Sequence, residues 1–221
     1  MPEPRRAAVY YVPDPDDPLW SRGCAWLGRD PLSGERLPQP PVAGVEGMTE
    51  SPRRYGFHAT LKPPMALRHG LDAFIADAAA LAARLRPFDL PPLEIANLHG
   101  FLALCLAGDC PPMQDLADAC VAELDHHRVP EDAAARARRA EGRSAAERAY
   151  IERWGYPLVF GAFRFHMTLT DRIADNPLVP AAAAHFADTL AAARRVTGIA
   201  VFVEESAGAP FRLARRLRFG A

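Results

Sequence analysis

Two short stretches, "YGFHATLKPP" (55–64) and "FRFHMTLTDR" (163–172), each place histidine, any residue, threonine and leucine behind an aromatic residue, 108 positions apart. Imidazole exchanges a proton near neutral pH, and a threonine hydroxyl can donate to an anionic oxygen. Residues i and i+2 of a strand share a face, so His58 projects with Thr60 and His166 with Thr168, while Leu61 and Leu169 turn to the opposite, apolar side. The same alternation sets Arg54, Gly56 and Lys62 on the face of His58, and Arg164, Thr170 and Arg172 on that of His166.

One His-x-Thr alone is ordinarily a structural residue pair; two copies with equivalent followers point to catalysis. Cleaving a phosphodiester takes a base for the attacking water, an acid for the leaving oxygen, and donors for the charge on the non-bridging oxygens. His58 and His166 can be base and acid in either order, Thr60 and Thr168 can bind the oxygens, and Lys62, Arg54 or Arg164 can neutralise charge. This chemistry calls for no metal and no cofactor. The carboxylates form no DxD, HExxH or EF-hand pattern, and no GxxxxGK[ST] segment is present. His126 and His127, beside Asp125 near a helix end, read as surface residues, and His69, His99 and His185 have no constellation around them.

The elements that must position these groups are legible in outline. "AAVYYVP" (7–13) has strand composition, and of its adjacent tyrosines Tyr11 is the one expected to edge the groove. Residues 14–50, rich in Pro and Gly, read as a surface excursion with one short helix near Trp20 to Leu27. A strand over 54–62 ends at Pro63 and Pro64. An amphipathic helix follows (70–86), then two strands meeting near His99 and Gly100, then a helix through Met113, Leu116, Cys120 and Leu124. Residues 131–154 are highly charged and read as a solvated helix or helix pair, with a lid over the groove as the rival reading. Strand (163–170), helix and two strands then recur, ending in "PFRLARRLRF", whose Arg212, Arg216 and Arg218 form either a solvated face or a phosphate-binding wall. This is a twofold repeat of strand, helix, strand, strand.

The chain has 221 residues, 49% of them apolar and 24% charged, enough to bury a core without staples. Its formal charge of -1 gives no overall field favouring nucleic acid or an acidic membrane. Of 26 basic residues the single lysine is Lys62, within the first motif. Four cysteines without metal-type spacing read as free thiols. The apolar run after the first arginines stops at Pro13, too short for a signal peptide, and no stretch reaches membrane-spanning length. A cytoplasmic location is the expectation.

"FHATL" and "FHMTL" resemble the paired His-x-Thr/Ser motifs of the two-histidine phosphoesterase superfamily, which includes RNA 2',3'-cyclic phosphodiesterases and bacterial proteins once called RNA 2',5'-ligases. More narrowly, "AWLGRD", "RYGFHATLKPP" and "FRFHMTLTDR" resemble the branch common in phosphonate-utilisation operons. The resemblance implies an α+β fold of two pseudo-symmetric antiparallel-sheet lobes with outer helices around a central groove. The whole chain, 1–221, would be one bilobal unit: lobe one at 54–127 with strand 7–13, a charged helical insertion at 131–154, and lobe two at 157–221. It further implies catalytic roles for His58, Thr60, His166 and Thr168, and metal-independent cleavage of a small cyclic phosphate such as 5-phosphoribosyl 1,2-cyclic phosphate. The alternatives are an RNA end-processing enzyme, which the near-neutral charge disfavours, and a non-catalytic module binding RNA or a phosphate ligand. No membrane or obligatory protein partner is expected.

Overall fold

The β-branched and aromatic start of the chain forms β1 (Arg6–Tyr11), buried almost throughout, in a computed structural model that describes residues 6–220. The expectations for residues 1–5 and 221 lie outside the described residues. Within residues 14–50 the expected short helix is present but lies in the core, while 32–44 run over the surface. Asp17 caps α1 (Pro18–Leu27) by accepting from the Leu19 amide, and Leu19, Trp20, Cys24, Trp26 and Leu27 are buried. The helix sits close because Gly23 lacks a side chain: a Cβ there would overlap the ring of Phe57, the residue before the first motif histidine. Trp26 Nε1 donates to the Leu169 carbonyl at 2.9 Å, tying the same helix to the second motif.

Around the first motif the structure departs from a strand at 54–62. Two short helices, α2 (Val45–Met48) and α3 (Glu50–Tyr55), lead to Gly56 at φ 80°, and β2 runs Ala59–Met65. Pro63 and Pro64 do not end this strand. They fall in a register shift of the β1–β2 pairing, and β6 (His166–Thr168), the neighbour on the other side, reaches β2 only at Ala59, so neither proline interrupts a regular ladder.

Helix α4 (Gly70–Arg84) is followed by β3 (Phe88–Leu90), the hairpin β4 (Leu93–Leu98) and β5 (Phe101–Leu106), and α5 (Pro111–Glu123). The charged segment forms α6 (Ala133–Ala140) and α7 (Ala145–Trp154), separated near Gly142. After β6 come α8 (Val179–Leu190), β7 (Arg194–Val196), β8 (Gly198–Glu204) and β9 (Arg212–Arg218). The result is a mixed α/β fold whose strands pair antiparallel. One sheet has the order β4-β5-β6-β2-β1-β8-β9, and β3 pairs with β7.

The two sheet lobes, β4-β5-β6 and β2-β1-β8-β9, meet at the motif strands, and each draws strands from both halves of the chain. The lobes therefore do not follow the boundaries 54–127 and 157–221. Helices cross over as well: α4 packs on β9, α8 on β4. No helix among the described residues is long and apolar enough to cross a membrane.

Candidate active site

The seam between the lobes builds the site. Ala59 and Met167 are antiparallel partners, and both are buried on the core face. Extending that register by one residue each way sets His58 across from Thr168 and Thr60 across from His166, all on the opposite face. The four motif side chains thus form two cross-strand pairs related by a local twofold axis. The imidazoles occupy diagonal positions, roughly 7–8 Å apart at the backbone. That spacing leaves room for a tetrahedral phosphate between them.

Each histidine is oriented in the same way. Nδ1 of His58 lies 2.8 Å from the Gly56 carbonyl, and Nδ1 of His166 lies 2.8 Å from the Arg164 carbonyl. A proton on Nδ1 satisfies both carbonyls and leaves Nε2 as the working nitrogen. Nε2 of His58 is 3.2 Å from Thr60 Oγ1. Gly56 can present its carbonyl this way because its φ of 80° suits glycine, and a Cβ would meet Pro31 at 2.9 Å.

The two imidazoles differ in surroundings. Tyr10 pairs with Thr60 across β1–β2 and stacks on His58, ring centroids 3.7 Å apart at 26°. Burial pushes the His58 pKa down to about 4, only partly opposed by the Gly56 hydrogen bond, and the nearby His166 lowers it further. His58 is therefore held neutral at physiological pH.

Above this floor is a groove of about 710 Å³ lined by both motifs, Tyr10, Tyr55, Phe101, Tyr156 and several arginines. Arg6 reaches it while pairing with the buried Glu204 at 2.6 Å. Burial raises the Glu204 pKa, but hydrogen bonds from Arg6 and Arg54 outweigh this and hold it at about 2. Arg172 lies over the Phe101 ring at 5.6 Å, with Nη1 donating to the His99 carbonyl. Glu131, paired with Arg139, and Trp154 and Tyr156 also line the groove, so both ends of the charged segment reach it.

Several expected contacts fall elsewhere. Tyr11 pairs with Ala59 and packs on Phe165 in the core, so Tyr10 is the groove tyrosine. Lys62 lines the groove but is 2% exposed, its Nζ engaged with the Val121 carbonyl of α5 at 3.0 Å and with Asp125 at 3.3 Å. Burial lowers its pKa to about 8, with Asp125 opposing. Arg54 belongs to α3, and its guanidinium serves Glu204. Arg164 is exposed outside the groove lining and contributes its carbonyl to His166. Arg216 covers Trp20 and donates to the Pro13 carbonyl, and Arg212 and Arg218 lie outside the groove lining, so the β9 arginines are not its wall. Sequence reasoning missed Arg6 and Tyr156, which no motif marks.

Two curated relatives, both called "Ribose 1,5-bisphosphate phosphokinase PhnN", align over nearly all of the chain. That from Janthinobacterium sp. (strain Marseille) is 37% identical over 97% of this chain and 51% of its own. That from Laribacter hongkongensis (strain HLHK9) is 40% identical over 95% and 51%. The chain thus spans about half the length of the curated relatives it matches. Among solved structures, apo LigT of E. coli superposes with a TM-score of 0.49 at 13% identity, covering 99% of both chains. TT0787 of Thermus thermophilus gives 0.47 at 17% identity, covering 97% of both. Residues 60–212, more than half of the chain, match the family described as "Protein of unknown function (DUF1045)", and the chain belongs to that family.

Proposed function

We propose that the chain is a phosphodiesterase that opens a cyclic phosphodiester on a small phosphorylated sugar, with His58 as base and His166 as acid. The Ala59–Met167 pairing carries this reading, because it makes two equivalently tethered imidazoles face one space. Held neutral, His58 takes a proton from water on Nε2 as the water oxygen attacks phosphorus. The phosphorus–oxygen bond on the far side breaks, and His166 delivers a proton to the departing sugar oxygen. Thr60 and Thr168 donate to the non-bridging oxygens, and Arg6 or Arg172 balances the remaining negative charge. The imidazoles perform both proton transfers, so the chemistry needs no metal.

The relatives' name supports a ribosyl phosphate substrate, and phosphonate breakdown is what the motifs' resemblance to the phosphonate-operon branch implies. Opening 5-phosphoribosyl 1,2-cyclic phosphate by breaking the bond to O2 yields ribose 1,5-bisphosphate, the compound in that name; breaking the bond to O1 would yield the 2,5-isomer. His166 accordingly protonates O2.

The test is hydrolysis, in EDTA, of ribose 1,2-cyclic phosphates, nucleoside 2',3'-cyclic phosphates and short RNAs with cyclic ends. The ribosyl compound should be preferred, with phosphorus NMR showing the 1,5-product, and His58→Ala and His166→Ala should each lose about 10²-fold or more. A full-rate His58→Ala enzyme sinks the mechanism, and preference for RNA ends replaces the substrate.

A further inference from the structure

Asp77, His126 and His127 converge outside the groove, where α4 faces the 3-10 turn Asp125–His127 that follows α5. Nε2 of His126 and Nε2 of His127 lie 3.0 and 2.9 Å from the same oxygen, Asp77 Oδ2. Nδ1 of His126 lies 2.9 Å from the Glu123 carbonyl, a contact in which Nδ1 donates, with Nε2 aimed at the cluster. Imidazoles that bind metals are held in this manner, one nitrogen donating to a carbonyl and the other coordinating. That Nε2 meets the Asp77 carboxylate either as a protonated donor or through a cation shared with it.

His127 adds a second observation. It is 1% exposed, its Nδ1 is buried with no hydrogen-bond partner among the described residues, and its Nε2 is directed into the cluster. Its backbone is fixed by the Arg68 amide, which donates to the His127 carbonyl at 2.7 Å. The ring of His69 stands 5.6 Å from that of His127 and 6.3 Å from that of His126, near enough to supply a further ligand by rotation.

We propose that Asp77, His126 and His127 bind a divalent ion of the zinc class. Two imidazoles and one carboxylate favour zinc, cobalt or nickel over magnesium or calcium, which prefer all-oxygen sets. His69 or water completes the coordination from the exposed side. The ion would clamp α4 to the turn that leads directly into Arg128, a groove residue whose guanidinium holds Asp125 at 2.8 Å. Its role is to steady that wall, not to enter the reaction.

The experiment titrates chelator-stripped protein with zinc chloride against a chromophoric chelator and follows thermal unfolding with and without zinc. Wild-type protein should bind at this site and melt higher when loaded. His126→Gln and Asp77→Asn, both at exposed positions, should each weaken binding about tenfold or more and lose the zinc-dependent rise in melting temperature. The double variant His58→Ala/His166→Ala should keep both properties. Unchanged affinity in His126→Gln and Asp77→Asn, loss of zinc in the groove variant, or no binding by wild-type protein would each overturn the site.

Discussion

Two histidines with the same sequence neighbours and the same carbonyl tether are not chemically equivalent. Tyr10 stacks on His58, and burial holds that imidazole neutral, which suits it to the base's part in the proposed mechanism. With His58 as the base of the proposed mechanism, the acid limb of kcat/KM should appear only towards about pH 4. An acid limb centred near 6.5 would mean that the groove does not hold His58 in this state. The same depression has a stability consequence: between about 4 and the unfolded value near 6.5 the native state binds fewer protons than the unfolded chain, so stability falls as pH drops through that window. Denaturant midpoints at pH 7 and pH 4.5 should therefore differ less in His58→Asn than in wild-type protein. The His-x-Thr pairs were legible because strand alternation is a local rule. Lys62 was not: alternation placed it on the correct face, but α5, some sixty residues later, engages its amine. Tyr10 and Tyr11 could not be ranked from sequence either, since only the pairing with Thr60 and Ala59 decides which ring meets the groove.

At the scale of elements, the first motif depends on a helix whose presence near Trp20 to Leu27 was legible and whose place in the core was not. Pro and Gly density made 14–50 read as a surface excursion around that helix, yet α1 is a capped core helix whose one close approach, Gly23 on Phe57, is a fact of packing. Gly23→Ala should drive the new methyl into the Phe57 ring, lower stability by about 1–3 kcal/mol and reduce activity in the surviving folded fraction by displacing His58. Chemical denaturation and a rate normalised to folded protein check this; wild-type values for both would show that Phe57 can yield without disturbing its neighbour. The hairpin at His99 and Gly100, α4, α5 and the break between α6 and α7 were all visible as periodicity and turn chemistry. The second motif strand was expected over 163–170, but β6 spans only His166–Thr168, because Phe160–Ala162 forms a 3-10 turn upstream and Thr170 spends its hydroxyl on the Leu102 amide, the Asp171 carbonyl and Asn176.

For the molecule as a whole, the repeat was legible as an order of elements, and its interleaving was not, since nothing local in β6 says that it will lie between β5 and β2. Each lobe needs strands from both halves, so protein nicked between α6 and α7, around 141–144, should elute as one species in native buffer and keep its activity. Separation of the fragments on size-exclusion chromatography would show that the halves are independent. The pairing of β1 with β8, which sets Arg6 opposite Glu204, also governs how the protein is born. At about 5–20 residues per second, a ribosome releases β1 roughly 10–40 s before its partner strand exists. Throughout that interval the apolar strand that will back the floor of the groove has an unclaimed edge. Nascent chains stalled before β8 should therefore be the species that chaperones hold and that aggregates when synthesis outruns them.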